Sequence, residues 1–135
     1  MEKVYTTPLL DKLGVRPGMR VALVGPVDQE GTIQALLADR TSDIRIGDPA
    51  PDTDIVFLAA DLPADLEGLK ALRDRIRPNG AIWVVSRKGR AATLRYEDLL
   101  EAAKAVGLVD NKVVSFSATH TSLRFVIPVA LRPRS

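Results

Sequence analysis

The residues best suited to chemistry form a short basic segment, Arg87, Lys88 and Arg90, grouped around a glycine. Three cations around one glycine can hold a phosphate or a carboxylate, because they donate charged hydrogen bonds and the glycine lets backbone approach. Such clusters are also common as solvated surface charge, and both interpretations stay open. No aromatic residue is interleaved with these cations, which argues against nucleic acid as a partner.

A second group stands where apolar, strand-like runs end: Gly25 and Asp28 after the first run, Asp48 after the second and Asp61 after the third. In open parallel sheets, ligands bind beyond the carboxyl ends of the strands, so these residues are candidates for a binding site. Each also has a structural interpretation. Asp28 can cap a helix. Asp48 can open a turn with the proline that follows it. Asp61 can start a helix with Pro63.

Several chemistries are excluded or unsupported. The chain has no cysteine, which rules out disulfides, thiolate chemistry and cysteine-built zinc sites. His120 is the single histidine and has no predicted orienting partner, so we expect an exposed turn residue. Ser86 lacks the Gly-x-Ser-x-Gly elbow of hydrolases. We therefore predict no catalytic residue and no metal site.

Bulk properties bound the class. The 135 residues fit one domain, 1–135, and a hydrophobic fraction of 46% is enough for a core. The net charge of +2 comes from interleaved acids and bases, which gives no reason to expect nucleic acid. No apolar run reaches the ~20 residues needed to span a bilayer, and the start lacks the apolar segment of a signal peptide. We expect a cytoplasmic protein without a membrane partner.

The elements that position the candidates alternate between strand and helix. Strands are predicted at 20–24, 43–46, 55–60 and 81–85. Helices are predicted from Thr7 to Gly14, at 30–39, from Asp61 or Asp65 to an end at Asn79-Gly80, and at 96–106. Two alternating runs joined by residues 119–122 then predict an antiparallel hairpin. This order predicts an α/β fold with a doubly wound, mostly parallel sheet and a C-terminal hairpin.

Three stretches carry a resemblance: Asp54–Ala60, Ile76–Val85 and Glu97–Val129. They resemble the "D-φ-φ", "L-x-P-G-G-φ-φ-φ" and "φ-x-x-x-G-φ" patterns of class I S-adenosylmethionine-dependent methyltransferases, where φ is apolar. Residues 7–24, 107–113 and 122–126 resemble an uncharacterised family of short bacterial domains with that Rossmann-like fold. The resemblance covers nearly the whole chain and implies a last strand inserted antiparallel beside the fifth strand of the family.

The resemblance also implies site roles and shows where the chain departs from the family. Gly25 and Asp28 correspond to the glycine-rich cofactor loop, Asp48 to the acid that binds the ribose hydroxyls, and Asp61 to the substrate-facing motif. In that loop, Pro26 removes an amide and Val27 adds bulk. Between strands 43–46 and 55–60 there is no room for a crossover of about a dozen residues, so we predict that the third strand of the family fold is missing.

Three functions remain open from the sequence. The favoured one is a non-catalytic binding or assembly module without a cofactor, which could form a homodimer through the edge strand at 43–46. The alternatives are an S-adenosylmethionine-dependent methyltransferase with a minimal cofactor site, and an anion- or nucleotide-binding module that uses Arg87, Lys88 and Arg90. The identity of a small-molecule ligand is left open.

Overall fold

The computed structural model describes residues 8–27 and 31–132 of the chain. Within these residues one sheet contains six strands, in the order β2-β1-β3-β4-β6-β5. The strands are β1 (Val21–Val24), β2 (Ile44–Ile46), β3 (Thr53–Ala59), β4 (Ile76–Arg87), β5 (Val109–Ser115) and β6 (His120–Val126). The first four are parallel, whereas β6 runs antiparallel to both β4 and β5. This confirms the predicted fold class.

In the described part of the chain, four α-helices cover the sheet: α1 (Leu9–Lys12), α2 (Thr32–Ala38), α3 (Leu69–Arg73) and α4 (Tyr96–Ala105). Short 3₁₀ segments occupy Pro63–Gly68, Gly89–Ala91 and Val129–Leu131. The predicted cap Thr7 and the helix start at Glu30 lie outside the described residues. Gly14 follows α1 with φ +77°, the left-handed conformation expected of a glycine that ends a helix.

The core has two layers, one on each face of the sheet. Successive side chains of a strand point to opposite faces, so the apolar runs in β3 and β4 supply both layers. One layer, with α1 and α2, includes Phe57, Trp83 and Leu37. The other, with α3 and α4, includes Leu69 and Phe125. Trp83 is fully buried, and its indole Nε1 donates to the Leu13 carbonyl at 3.0 Å.

The loop between β2 and β3 confirms that the third strand of the related fold is missing. Residues 47–52 form neither a strand nor a helix, and both neighbouring strands pair with β1. The chain therefore passes directly from one side of β1 to the other. As a result, β2 is the outermost strand on that side of the sheet.

The helix predicted to end at Asn79-Gly80 is wrong in its second half. A 3₁₀ segment and α3 replace it, and the chain is already in β4 at Ile76. Pairing with β3 jumps from Thr53↔Ile76 to Ile55↔Ala81, so residues 77–80 bulge out of the ladder. A Cβ atom at Gly80 would lie 2.8 Å from the Asp54 carbonyl oxygen. The glycine that indicated a helix end is thus required by the close approach of two backbones.

Candidate functional site

A cleft of about 450 Å³ opens at the carboxyl ends of β1, β2 and β3. Gly25, Asp48 and Asp61 all line it, so the fold brings together three of the four predicted cofactor residues. The fourth, Asp28, lies outside the described residues. The other wall comes from the 3₁₀ segment Pro63–Gly68 and from α3, including Ala64, Asp65 and Ala71. We call this space the acidic cleft, because Asp48, Asp61 and Asp65 all line it.

The turn after β1 offers few donors to a ligand. Gly25 has φ +79°, and a Cβ there would be 3.4 Å from the Ala59 Cβ, so both conformation and space favour glycine. Pro26 has no N–H. The Val27 N–H donates to the Gly25 carbonyl at 2.8 Å within the turn itself. Neither Pro26 nor Val27 therefore has a backbone N–H group free to bind a phosphate or a carboxylate.

The Asp61 carboxylate is engaged by other residues of the chain. Its Oδ1 accepts the Arg87 backbone N–H at 3.1 Å, and its Oδ2 lies 3.6 Å from the Arg87 Nε. The Thr93 hydroxyl donates to the Asp61 carbonyl oxygen. Asp65 Oδ2 accepts the backbone N–H groups of Asp61 and Leu62 at 2.9 Å each. The carboxylates of Asp61 and Asp65 thus stabilise the turn between β3 and the 3₁₀ segment.

Asp48 differs from these two acids. It is exposed, and no hydrogen bond or ion pair involves its carboxylate within residues 8–27 and 31–132. Only its backbone oxygen has a partner there, the Arg45 Nη1 at 3.5 Å. Asp48 is therefore the carboxylate of the acidic cleft that can accept hydrogen bonds from a ligand.

The three cations of the basic segment have separate surroundings. Arg87 pairs with Asp61, and the Lys88 Nζ donates to the Ser115 Oγ at 2.7 Å. Arg90 is exposed in the 3₁₀ segment Gly89–Ala91. Two of the three cations are thus already engaged within the chain. Anion binding by this segment stays a prediction.

The prediction that His120 is an exposed turn residue is wrong. It is the first residue of β6, is partly buried, and lines a second pocket of about 420 Å³. The pocket lies on the α1 and α2 face, and Pro26 lines both it and the acidic cleft. In the sequence, the polar residues Ser117, Thr119 and His120 were the available sign of this pocket. Their hydrogen-bond partners become apparent only in the folded hairpin. We call this second space the hairpin pocket.

The described residues lack two features. None of their helices is long and apolar enough to cross a membrane. Among the same residues there is no group of three or more histidine, cysteine or acidic side chains placed to hold a metal ion.

Comparison with known proteins defines the fold class. No family model matches the chain, and no curated protein matches it. Among solved structures, it is similar to a TehB-like SAM-dependent methyltransferase from Corynebacterium glutamicum, with a TM-score of 0.60, 16% identity and coverage of 87% of this chain and 85% of that one. A SAM-dependent methyltransferase from Aquifex aeolicus gives a TM-score of 0.63, 15% identity and coverage of 88% and 87%.

A third similar structure is a variant of LepI in complex with SAH and a substrate analogue. It gives a TM-score of 0.59 at 14% identity and is aligned over 93% of this chain, which spans only 49% of the LepI chain. At such low identities these likenesses establish the fold alone. The chain therefore has a methyltransferase-like Rossmann fold.

Proposed function

We propose that the chain is a non-catalytic binding module of methyltransferase-like fold, and that its acidic cleft holds a small hydroxylated ligand of the adenosyl class. The observation that carries this proposal is the convergence of Gly25, Asp48 and Asp61 on one cleft. Its volume of about 450 Å³ lies in the range of ~300–1,000 Å³ that is usual for small-molecule sites.

The chemistry of the cleft favours hydroxyl or cationic groups over anions. Asp48 has an unpaired carboxylate among the described residues, which accepts hydrogen bonds from a vicinal diol. The turn after β1 lacks free backbone donors at Pro26 and Val27, so it provides little for a phosphate. A nucleoside or a sulfonium-bearing nucleoside fits this pattern better than a nucleotide does.

Two features support binding without methyl transfer. Methyl transfer depends on holding donor and acceptor in close alignment, which requires an enclosed site. Here the third strand of the related fold and its crossover are missing beside β2, so that side of the cleft has no such wall within the described residues. Asp61, the acid expected to face a substrate, is instead paired with Arg87.

Calorimetry tests the binding half of this proposal with adenosine, S-adenosylmethionine and S-adenosylhomocysteine as probes. We expect at least one adenosyl compound to bind, and Asp48→Ala to weaken it by about tenfold, the usual effect of losing one charged hydrogen-bond partner. Asp39→Ala is the matched control, because Asp39 follows α2, away from the lining of the cleft. Equal binding by Asp48→Ala and wild type would contradict this assignment.

A second candidate function, S-adenosylmethionine-dependent methyl transfer, draws on the same convergence of Gly25 and Asp48. Incubation with methyl-labelled S-adenosylmethionine and a panel of oxygen, nitrogen and sulfur nucleophiles separates the two. We expect no transfer above a heat-denatured control. Sustained turnover that Asp48→Ala abolishes would establish the enzyme and overturn the non-catalytic proposal.

A further inference from the structure

We propose that the hairpin pocket is a second binding site, and that it takes a small organic carboxylate with an apolar body. The pocket has a volume of about 420 Å³ and lies between α1, α2 and the tip of the β5–β6 hairpin. Nothing in the resemblance to methyltransferases pointed to it. The proposal is independent of the adenosyl ligand proposed for the acidic cleft.

The apolar part of the pocket is the first step of the argument. Val27, Leu36 and Phe116 are among its lining residues, and Leu36 stays 38% exposed although it belongs to a helix that packs on the core. The Phe116 ring is fixed by a tilted contact with the Phe57 ring, with centroids 6.0 Å apart. This wall is apolar and partly unfilled, which suits a hydrocarbon or aromatic group.

A chain of hydroxyl groups at the hairpin tip orients His120. The Ser117 Oγ accepts the backbone N–H groups of Thr119 and His120, at 3.3 and 3.1 Å. A hydroxyl oxygen has two acceptor positions and one donor hydrogen, so Ser117 has only its hydrogen left to give. That hydrogen goes to the Thr119 Oγ1, 3.3 Å away.

The hydrogen bond to Thr119 engages one ring nitrogen of His120 and leaves Nε2 for a ligand. The Thr119 Oγ1 lies 2.7 Å from His120 Nδ1 and can donate to it or accept from it, according to the tautomer of the ring. A neutral imidazole that accepts at Nδ1 carries its proton at Nε2. Among the described residues, none hydrogen-bonds Nε2. A carboxylate ligand selects the tautomer with its proton at Nε2, so the pocket can present an N–H donor to it at the rim, beside the apolar wall.

The local charge selects an anion as the acceptor. No carboxylate occurs among the described residues that line the hairpin pocket, and the Lys88 ammonium lies beside its tip, where it donates to the Ser115 Oγ. The Lys88 backbone N–H donates to the Thr119 carbonyl, whereas Arg87, opposite His120 in the β4–β6 ladder, is paired with Asp61. A carboxylate that accepts from Nε2–H gains from this potential, whereas a cation does not.

The test uses phenylacetate and its neutral isostere phenylacetamide in a titration of ¹⁵N-labelled protein followed by NMR. We expect phenylacetate to shift residues of the hairpin tip and α2, with a Kd below about 10 mM, and phenylacetamide to bind at least about tenfold more weakly. Shifts confined to the acidic cleft, equal affinity of the two probes, or no binding of phenylacetate at about 10 mM would each overturn the proposal.

Variants separate the role of His120 from a structural one. His120→Leu removes the donor and should weaken phenylacetate by about tenfold, whereas His120→Gln places an amide N–H near the position of Nε2 and should restore most of the affinity. Wild-type affinity in His120→Leu would contradict the assignment. Unfolding temperatures of both variants, measured without the probe, show whether a loss reflects the fold instead.

A matched pair of variants tests whether phenylacetate binds against the apolar wall. Leu36→Glu places a carboxylate at the pocket and should abolish phenylacetate binding through like-charge repulsion. Leu62→Glu makes the same change at a leucine that is 59% exposed and does not line the pocket, so its affinity should equal that of wild type. Equal affinities of the two variants would exclude the hairpin pocket as the binding site.

Discussion

At the scale of single residues, the carboxylates of the candidate site divide by their partners. Asp61 and Asp65 are occupied by backbone N–H groups and by Arg87, whereas Asp48 is open to a ligand. The sequence placed Asp48 and Asp61 at strand ends correctly, because strand-like runs stop just before each of them. It offered no means of telling them apart, since the partner of Asp61 lies 26 positions further along the chain.

Gly80 provides a residue-scale prediction. Gly80→Ala should lower the free energy of unfolding by about 1–3 kcal/mol, because the added methyl group meets the Asp54 carbonyl oxygen at 2.8 Å and backbone cannot move aside cheaply. Gly68→Ala is the control: its Cβ would meet nothing within 4 Å, and its φ of −77° suits alanine. Urea denaturation measures both, and an unchanged midpoint for Gly80→Ala would contradict the bulge.

At the scale of elements, the strands were predictable and one helix was not. The buried runs that became β3 and β4 are apolar on both faces, a pattern typical of a strand covered from two sides. The stretch from Asp61 to Gly80 has helical spacing at Leu66, Leu69 and Leu72, and these residues are buried as expected. The helix is nevertheless short, because pairing with Thr53 draws Ile76 into β4.

The turn before the 3₁₀ segment gives a prediction at this scale. Asp65→Ala leaves the N–H groups of Asp61 and Leu62 without their acceptor and should cost about 1–2 kcal/mol of stability. Asp65→Asn keeps a side-chain oxygen and should cost less than half as much, because asparagine caps nearly as well as aspartate. Thermal unfolding compares them, and equal losses would show that the charge, not the cap, matters.

The contact between α4 and β5 predicts a pH dependence. The Tyr96 hydroxyl donates to Asp110 Oδ2 at 3.0 Å, and this hydrogen bond, followed by partial desolvation, raises the pKa of Tyr96. The folded state holds the proton more tightly than the unfolded chain. This contribution to stability is therefore complete below the unfolded pKa of about 10 and is lost as pH rises through the folded value.

Ultraviolet titration of tyrosinate in a Tyr5→Phe background measures this pKa directly. Asp110→Asn should lower it towards the value of the unfolded chain, because the charged acceptor is gone. Asp74→Asn, a change at an exposed acid that has no recorded contact with Tyr96, should leave it unchanged. An identical titration curve for Asp110→Asn and the background protein would refute the contact.

At the scale of the whole molecule, the order of the elements was enough to predict the fold class. The missing third strand could be predicted too, because residues 47–52 are too few for a crossover helix and a further strand. The hairpin pocket could not be predicted, since α1, α2 and the hairpin tip that line it are far apart in the sequence. Pockets of this kind depend on tertiary packing, which a single sequence does not display.

The homodimer stays a prediction, and the two edges of the sheet differ in their suitability for it. The β5 edge has a register shift between Asp110 and Lys112, a distortion that discourages pairing with another strand. The β2 edge is regular and ends in Ile46, which is 63% exposed. Light scattering should give twice the monomer mass, and Ile46→Lys should give the monomer mass.

Val129→Lys is the control for this experiment, because Val129 is 76% exposed and belongs to neither edge. It should scatter like wild type. A monomer mass for the unaltered protein at all concentrations would end the homodimer prediction without affecting either proposed ligand site.

The bond from the Trp83 indole to the Leu13 carbonyl gives the protein a built-in optical reporter. The chain has a single tryptophan, so its fluorescence comes from one place, the point where the segment after α1 is fastened to the centre of the sheet. If that segment detaches, water reaches the indole and the emission moves to longer wavelength. Undocking of the amino-terminal part can thus be followed in solution without any label.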